Sequence, residues 1–340
     1  MFVTRRIPQV GLDLLSAGGA RIVVGQEDEE RALPREALLA GVESCDVLLP
    51  LLTEAVDLEL LSRNPGLLGV AQMAVGYDNV DVGAATELGI PVANTPGVLT
   101  ETTADLTWAL LMAVARRIPQ AHAYQAAGRY RLWGPNLFLG ADVGVGATGR
   151  RKVLGIVGYG RIGRAVAKRA TGFDLEILAF DPALSPEAIE DDGLARAVDL
   201  AALLAASDFV TLHTPLTPET RHLIGAGELR AMRSSAVLVN TSRGEVIDEQ
   251  ALVVALREGW IAGAGLDVYE GEPAMAAGLA ALDNAVLLPH IGSATRDTRG
   301  RMATMAAENA LSHLKGERAP NVVNPEVYDG EPYRRRRARA

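Results

Sequence analysis

The most constraining feature of the sequence is residues 152–181, where an apolar run leads through closely spaced glycines into a helical pattern and a second apolar run. The first run, residues 153–157, has no polar face, as expected of a parallel strand covered on both sides. Gly158, Gly160 and Gly163 follow at once. Their spacing fits the dinucleotide fingerprint, which needs a tight turn, backbone close to a pyrophosphate, and a closely packed helix. With a strand before and a helix after, the stretch predicts a dinucleotide site rather than a structural turn.

Asp181 indicates which dinucleotide is bound. It ends the second apolar run, residues 176–180, and lies 18 residues after Gly163, close to the ~20 at which an acid meets the adenosine ribose. A carboxylate accepts hydrogen bonds from the ribose hydroxyls but repels a 2′-phosphate, and residues 182–184 include no arginine to hold one. The sequence therefore favours NAD(H) over NADP(H).

Composition excludes several other classes. The net charge of −9 repels nucleic-acid phosphates, and no basic stripe offsets it. Cys45 is the one cysteine, which excludes an internal disulfide, and no clustered His or carboxylate motif predicts a metal. No GxSxG motif predicts a serine hydrolase. Without a signal peptide or a run of ~18 apolar residues, a cytoplasmic protein with no membrane or nucleic-acid partner is expected.

The chain of 340 residues exceeds one typical domain, so two are expected. The predicted fold class is α/β, with a doubly wound parallel-sheet (Rossmann) nucleotide domain at 101–288 that includes dimerisation elements. A smaller, discontinuous, flavodoxin-like substrate domain is expected at 1–100 and 289–330. Residues 331–340, which include four consecutive arginines, are expected to be a disordered tail.

Short apolar runs alternate with helical patterns in both domains. The runs predict strands at residues 21–24, 47–49, 67–71, 90–93, 209–212, 236–239, 263–266 and 286–288. A helix from Thr100 to near Pro119 is apolar nearly all round, so we expect it to be buried between domains or in a subunit interface. The last pattern, residues 297–314, is expected to return to the first domain.

Three titratable residues follow apolar runs at the edge where an open parallel sheet binds its ligands. They are Arg243, Glu272 and His290. Such a group suits a 2-keto acid, because the guanidinium holds a carboxylate, the imidazole delivers a proton, and the acid favours the protonated imidazole. A nicotinamide would supply hydride.

His213 is the competing histidine, although it could instead line the cofactor. The loop at 73–79 contains a glycine that either forms a turn or exposes backbone N–H groups to a carboxylate, and both interpretations remain open.

Six segments resemble the D-2-hydroxyacid dehydrogenase family along nearly the whole chain. They are GYDNVD at 76–81, GIVGYGRIG at 155–163, HTPLTPET at 213–220, NTSRG at 240–244, DVYEGEP at 267–273 and PHIG at 289–292. Residues 133–135 and 138–143 are similar to a loop of the glyoxylate/hydroxypyruvate reductases. The resemblance implies Arg243 as substrate clamp, His290 as proton donor and Glu272 as its partner, with the backbone of Val75 and Gly76 holding the substrate carboxylate.

The resemblance also implies cofactor contacts and an assembly. The contacts are Thr103, Gly158, Gly160, Arg161, Ile162, Gly163, Asp181, His213, Thr214, Pro215, Thr220, Thr241, Ser242, Arg243, Asp267, His290 and Gly292. A homodimer built on the nucleotide domains is implied, in which Trp133 either reaches the neighbouring subunit's substrate site or packs in the interface. Two departures stand out: Asp181-Pro182 where NADPH-using relatives place arginine, and Asp105 where glutamate is usual.

The resulting hypothesis is NADH-dependent reduction of a small 2-keto acid, glyoxylate or hydroxypyruvate, to the 2-hydroxy acid, glycolate or D-glycerate. A 3-phosphoglycerate dehydrogenase or another D-2-hydroxyacid dehydrogenase is the alternative within the fold. A phosphorylated substrate would need more cationic groups at the site. An NAD(H)-sensing, corepressor-like binding protein is the alternative from another class.

Overall fold

The computed structural model describes residues 1–28 and 30–338. The chain forms two compact units. The terminal unit comprises Met1–Leu99 with Ser293–Ala340, and the central unit comprises Thr100–Gly292. Each contains a parallel sheet with helices between its strands, so the predicted α/β class is confirmed.

The terminal unit begins with five short strands that alternate with helices. The elements are β1 (Phe2–Val3), α1 (Gln9–Ala17), β2 (Val23–Val24), α2 (Arg35–Glu43), β3 (Val47–Leu49), α3 (Leu58–Ser62), β4 (Gly69–Ala71), α4 (Val82–Glu87) and β5 (Val92–Ala93). The strands pair in the order β2-β1-β3-β4-β5, and every pair is parallel. The predicted run at 47–49 coincides with β3, whereas the two-residue β1 is too short to show a pattern.

The central unit holds a larger sheet. Its helices and strands are α5 (Thr100–Ala115), α6 (Ile118–Ala126), β6 (Val153–Val157), α7 (Arg161–Ala170), β7 (Glu176–Phe180), α8 (Pro186–Glu190), β8 (Arg196–Ala197), α9 (Leu200–Ala206), β9 (Phe209–Leu212), α10 (Ala226–Ala231), β10 (Val237–Asn240), α11 (Glu249–Glu258), β11 (Gly263–Leu266) and β12 (Ala285–Leu287). The strand order is β12-β11-β10-β9-β6-β7-β8, all parallel. The chain leaves β6 toward β7 and later returns to β9 on the other side, which is the switch point where such sheets bind ligands.

The strands of this sheet are apolar because both faces are covered. All five residues of β6 are buried, with Val157 in one core cluster and Ile156 in the other. Helices α9, α10 and α11 contribute to the first cluster, and α5 and α7 to the second. Each residue along such a strand is buried, so the strand appears in the sequence as an unbroken apolar run.

The helix predicted from Thr100 to Pro119 is two helices, because α5 ends at Ala115 and Arg117 has a left-handed backbone (φ 52°) before α6 begins. Helix α5 is buried as predicted, but it packs against the sheet of the central unit, to which it belongs. The glycines of β11 make this contact possible, since a Cβ at Gly263 would lie 2.8 Å from a side-chain carbon of Val114. Burial therefore explains the apolar character of α5 without a subunit interface.

Two C-terminal helices complete the terminal unit, α12 (Arg296–Lys315) and α13 (Glu331–Arg337). The alanines of α12 are buried in one cluster with β3 and α1, so this segment returns to the first unit as expected. The prediction of a disordered tail is wrong for residues 331–338. Arg336 is buried and donates to the carbonyl oxygens of Asn64, Leu67 and Leu88. A guanidinium presents several donors at once, which suits a group of neighbouring carbonyls. Residues 339 and 340 lie outside the described residues.

In the part of the chain that the structure describes, every helix falls short of the length and apolar character needed to cross a membrane.

Asp208, at the start of β9, joins three segments of the central unit and generates a stability prediction. Its buried carboxylate accepts from the Val153 N–H at 2.9 Å and from Arg150 at 2.5 Å, with Lys152 3.4 Å away. Burial raises the pKa of Asp208, but these donors and cations outweigh it and hold the pKa below its usual value. The ionised form is therefore the one that the fold stabilises.

We expect Asp208→Asn to lower the free energy of unfolding by about 1–3 kcal/mol near neutral pH, because the neutral amide cannot satisfy the two cations. A carboxylate with a lowered folded-state pKa contributes stability above its unfolded pKa and loses it as pH falls through the folded value. The difference in the free energy of unfolding between wild type and Asp208→Asn should thus be constant above about pH 5 and shrink below pH 3.8. Urea unfolding followed by circular dichroism across this range measures it. The exposed Asp283→Asn is the control, and an equal effect of both substitutions would contradict the prediction.

Candidate active site

The turn between β6 and α7 has the shape of a phosphate cradle. Gly158 has φ 91°, and a Cβ on it would lie 2.7 Å from the His213 backbone. A Cβ on Gly163 would lie 2.2 Å from the Gly158 carbonyl oxygen, so neither position accepts a side chain. Gly160, at the N-cap of α7, faces open space. Packing does not require a glycine there, whereas the approach of an anion to the helix N-terminus does.

Asp181 lies beside this cradle at the end of β7. Its Oδ2 accepts from the Tyr159 N–H and its Oδ1 from the Ala183 N–H, both at 2.9 Å. These two bonds fix the carboxylate against the fingerprint turn and leave further lone pairs on each oxygen for other donors. The residues therefore fit the ribose and pyrophosphate of a dinucleotide.

Arg243 follows β10 on a turn that Asn240 closes. The buried Asn240 donates from Nδ2 to the Arg243 carbonyl at 2.8 Å, and its Oδ1 accepts from the N–H and the hydroxyl of Ser242. Arg243 itself donates to the Ser242 carbonyl at 2.8 Å. The Thr241 and Thr107 hydroxyls lie 2.9 Å apart, which ties the turn to α5. This segment, residues 240–244, is called the first arm of the candidate site, and it is held by buried polar contacts.

The second arm, residues 267–273 after β11, packs against the first. A Cβ on Gly244 would lie 1.8 Å from the Tyr269 carbonyl carbon and 2.0 Å from its oxygen. Only glycine allows that approach. The glycine after Arg243 therefore sets how closely the first two arms meet.

Glu272 on the second arm pairs with His290 on the third arm, residues 288–292 after β12. Glu272 Oε2 lies 2.9 Å from His290 Nδ1, and Oε1 accepts from the Tyr269 N–H at 3.1 Å. Both side chains are about one-third exposed. Burial raises the pKa of Glu272, but the His290 bond, the Tyr269 N–H and the nearby Arg243 outweigh it and lower the pKa below its ordinary value. Glu272 is therefore an ionised acceptor that places a proton on His290 Nδ1.

Asp267 holds the third arm in place. Its carboxylate accepts from the Ile291 and Gly292 N–H groups at 2.7 and 2.8 Å, and its carbonyl accepts from the His290 N–H at 2.9 Å. His290 has φ 53°, a left-handed conformation that non-glycine residues adopt rarely and that such ties help to maintain. Burial raises the pKa of Asp267, although the two backbone donors oppose this. An arginine, an acid and a histidine thus end three adjacent strands, an arrangement that can bind a carboxylate and transfer a proton beside a nucleotide cradle.

Comparison with known proteins gives the family. Residues 108–292 match the profile of the NAD binding domain of the D-isomer specific 2-hydroxyacid dehydrogenases. The chain belongs to this family. The resemblance in the sequence is thereby confirmed, and the central unit contains the part of the chain that the family profile covers.

Relatives of known activity extend the comparison. The chain is 49% identical over 336 residues to a glyoxylate reductase of Thermococcus litoralis, covering 98% of both chains. A solved structure from Thermus thermophilus has 46% identity and a TM-score of 0.85, covering 95% of this chain and 99% of that one. An NADPH-dependent glyoxylate/hydroxypyruvate reductase from Sinorhizobium meliloti, solved with NADP and malonate, has 30% identity and a TM-score of 0.75, covering 95% of each. The chain is an oxidoreductase of this family with a domain for a nicotinamide cofactor.

The structure describes each of the other residues predicted to contact cofactor or substrate. In the central unit, Thr103 donates to the Gly292 carbonyl at 3.3 Å, and Thr220 donates to the Pro215 carbonyl at 2.7 Å. Thr214 is buried in the segment after β9, and Arg161 and Ile162 begin α7. In the terminal unit, Val75 and Gly76 lie after β4, where their carbonyls accept from Asn94 and Gln72. Their proposed contacts with cofactor and substrate stay predictions.

The two histidines that competed for the role of proton donor differ in their surroundings. Neither ring nitrogen of His213 has a hydrogen-bond partner among the described residues, and burial lowers the pKa of His213 to about 3. His213 is therefore neutral near pH 7 and is held by packing. His290 has a carboxylate partner, so the geometry favours His290.

The structure also shows residues that sequence reasoning missed. Asn240 and Tyr269 support the arms of the site, yet a single asparagine or tyrosine gives no distinctive sequence signal. Asp105, which stands where the resemblance places a glutamate, accepts from Arg169 of α7 at 2.8 Å, beside Glu101. The shorter acid thus takes part in an ion pair between α5 and α7.

Proposed function

We propose that this protein catalyses the NADH-dependent reduction of a small 2-keto acid, glyoxylate or hydroxypyruvate, to glycolate or D-glycerate. The observation that carries the proposal is the grouping of Arg243, Glu272 and His290 on three adjacent strand ends, with Glu272 bonded to His290. The activities of the relatives, glyoxylate reductase among them, support the same substrate class.

In this proposal the side chains of Arg243, Glu272 and His290 have different tasks. Arg243 binds the substrate carboxylate and polarises the neighbouring carbonyl, for which a fixed guanidinium is suited. Glu272 keeps the Nδ1 proton in place, so that Nε2 is the nitrogen of His290 that faces the substrate and gives its proton to the carbonyl oxygen. The bound nicotinamide, when reduced, supplies the hydride that the carbonyl carbon receives. Hydride and proton together convert the carbonyl at carbon 2 into the alcohol.

The preference for NADH follows in this proposal from Asp181. Its carboxylate is fixed beside the cradle by two backbone N–H groups, so it accepts hydrogen bonds from ribose hydroxyls. A 2′-phosphate would bring a second negative charge against it. The relative solved with NADP shows that the family contains enzymes with the other preference, which makes this residue the place to test.

The proposed homodimer is supported by an apolar surface on the central unit. Leu132 is 81% exposed, Trp133 72% and Leu139 64%, all in the segment between α6 and β6. Large apolar side chains grouped on a surface mark interaction sites. We infer that a second copy of the chain covers this segment, with Trp133 in the interface.

The first prediction from the proposed function concerns the reaction. Wild type should oxidise NADH rapidly with glyoxylate and hydroxypyruvate, and more slowly with pyruvate and phosphohydroxypyruvate. His290→Ala should reduce kcat by about 10²–10⁴-fold while NADH binding is retained, because it removes the proton donor. Arg243→Ala should also raise KM, since it removes a group that binds the substrate. Initial rates and fluorescence titration of NADH measure these effects; undiminished turnover of His290→Ala would overturn the mechanism.

The second prediction concerns the cofactor. Asp181→Ser should lower the ratio of kcat/KM for NADH to that for NADPH by about tenfold or more, because it removes the charge that repels the 2′-phosphate. The control is Asp191→Ser, at an exposed acid after α8, which should leave the ratio unchanged. A ratio that does not respond to Asp181→Ser would show that another residue discriminates between the cofactors.

The third prediction concerns assembly. Sedimentation equilibrium of wild type should give twice the 35.9 kDa mass of one chain, and Leu132→Asp should weaken the dimer by placing a charge in an apolar interface. Leu58→Asp, at an exposed leucine of α3 in the terminal unit, should leave the mass unchanged. A monomeric wild type would refute the proposed assembly.

A further inference from the structure

We propose that Tyr269 is a positioning residue that holds the three catalytic arms in register. The inference rests on the proposed function, because it assigns to Tyr269 a part in the same reaction. It is carried by three contacts, one to each arm, made by three different parts of this residue.

The first contact is between backbones. The Tyr269 carbonyl lies where a Cβ on Gly244 would be, with 1.8 Å between that Cβ and the carbonyl carbon. Gly244 immediately follows Arg243. The position of the Tyr269 peptide therefore limits where the Arg243 turn can lie.

The second and third contacts are hydrogen bonds. The Tyr269 N–H donates to Glu272 Oε1 at 3.1 Å, while the other oxygen of Glu272 meets His290. The Tyr269 hydroxyl donates to the Leu288 carbonyl at 2.9 Å, just after β12 and two residues before His290. The side chain thus spans from the second arm to the third, and the backbone orients the carboxylate between them.

The hydroxyl is suited to this task by its surroundings. Tyr269 is 7% exposed, and burial together with the Asp267 charge raises its pKa to about 12. It therefore remains a protonated donor across the range in which the enzyme would work. Leu288 is half-buried, and its carbonyl would lose this donor in a variant without the hydroxyl.

Two side chains of the second arm hold the third arm at different points, in addition to the Leu288 N–H, which donates to the Leu266 carbonyl at 2.9 Å, and Thr103, which donates to the Gly292 carbonyl at 3.3 Å. Asp267 holds His290, Ile291 and Gly292, and Tyr269 holds Leu288. With both side chains bound, the third arm is fixed at the Leu288 carbonyl as well as at residues 290–292, which keeps the imidazole in line with Glu272. Without the hydroxyl, the Leu288 carbonyl loses its donor from the second arm while the Leu288 N–H keeps its bond to Leu266. We expect the Nδ1–Oε2 contact to be populated less.

The central test is Tyr269→Phe, which keeps the ring and both backbone contacts and removes the hydroxyl. We expect kcat to fall about three- to tenfold, with the KM for the keto acid and the Kd for NADH within about twofold of wild type, since the Arg243 turn and the cradle have their own supports. Tyr328→Phe is the matched control. Tyr328 is a buried tyrosine of the terminal unit whose hydroxyl accepts from the Ala319 N–H at 3.0 Å. The Tyr328→Phe variant should lose as much thermal stability as Tyr269→Phe does, but its kcat should equal that of wild type.

A double-mutant cycle separates positioning from general damage. If Tyr269 acts through the pair of Glu272 and His290, then Tyr269→Phe should have little further effect once Glu272→Ala has broken the pair. Losses that multiply in the double variant, or a kcat for Tyr269→Phe equal to that of wild type, would overturn the inference.

A spectroscopic readout makes the test independent of turnover. In protein with ¹⁵N-labelled histidine, the His290 Nδ1 proton that is hydrogen-bonded to Glu272 should give a downfield resonance. We expect it to weaken or broaden in Tyr269→Phe, vanish in Glu272→Ala, and be unchanged in Tyr328→Phe. An unchanged resonance in Tyr269→Phe would overturn the positioning role. If wild type reduced none of the four keto acids but the resonance responded as expected, the proposed function would fail and the positioning role would stand.

Discussion

The seven strands of the central unit run parallel, so all their carboxyl ends lie along one edge of the sheet. The site depends on this constraint more than on any single contact. It brings the glycine turn after β6, the acid after β7 and the three arms after β10, β11 and β12 to the same side, although more than a hundred residues of chain separate the first from the last. Residues with no local relation in sequence thereby become neighbours.

Carboxylates that accept backbone N–H groups recur throughout this edge and the strands beneath it. Asp181 accepts from Tyr159 and Ala183, Asp267 from Ile291 and Gly292, and Glu272 from Tyr269. In each case the acid fixes a loop as well as carrying charge. Preorganised loops of this kind lose less entropy when a ligand binds, and they keep reacting groups aligned without relying on the ligand.

The sequence predicted the parts of the fold that follow from local patterns. Residues 47–49, 209–212 and 263–266 are strands as predicted, because a covered parallel strand requires an unbroken apolar run. The strand ends then pointed to Arg243, Glu272 and His290. Contacts between distant residues left no such trace. The disordered end predicted from four arginines was wrong because Arg336 meets carbonyls some 250–270 residues earlier in the chain. Likewise, the break between α5 and α6 at Arg117 depends on a backbone conformation that side-chain periodicity does not report.

The discontinuity of the terminal unit has a consequence for synthesis. The alanines of α12, from Ala303 to Ala310, share a core with Val47 and Leu49 of β3, yet the whole central unit is made between them. At ~5–20 residues per second, a ribosome leaves the first sheet without this helix for ten seconds or more. During that time the central unit, contiguous in sequence, can complete its own core. The fold therefore sets an order of maturation on the ribosome in which the first segment to emerge is among the last to be finished, and a chaperone has most to protect at the apolar face that α12 later covers.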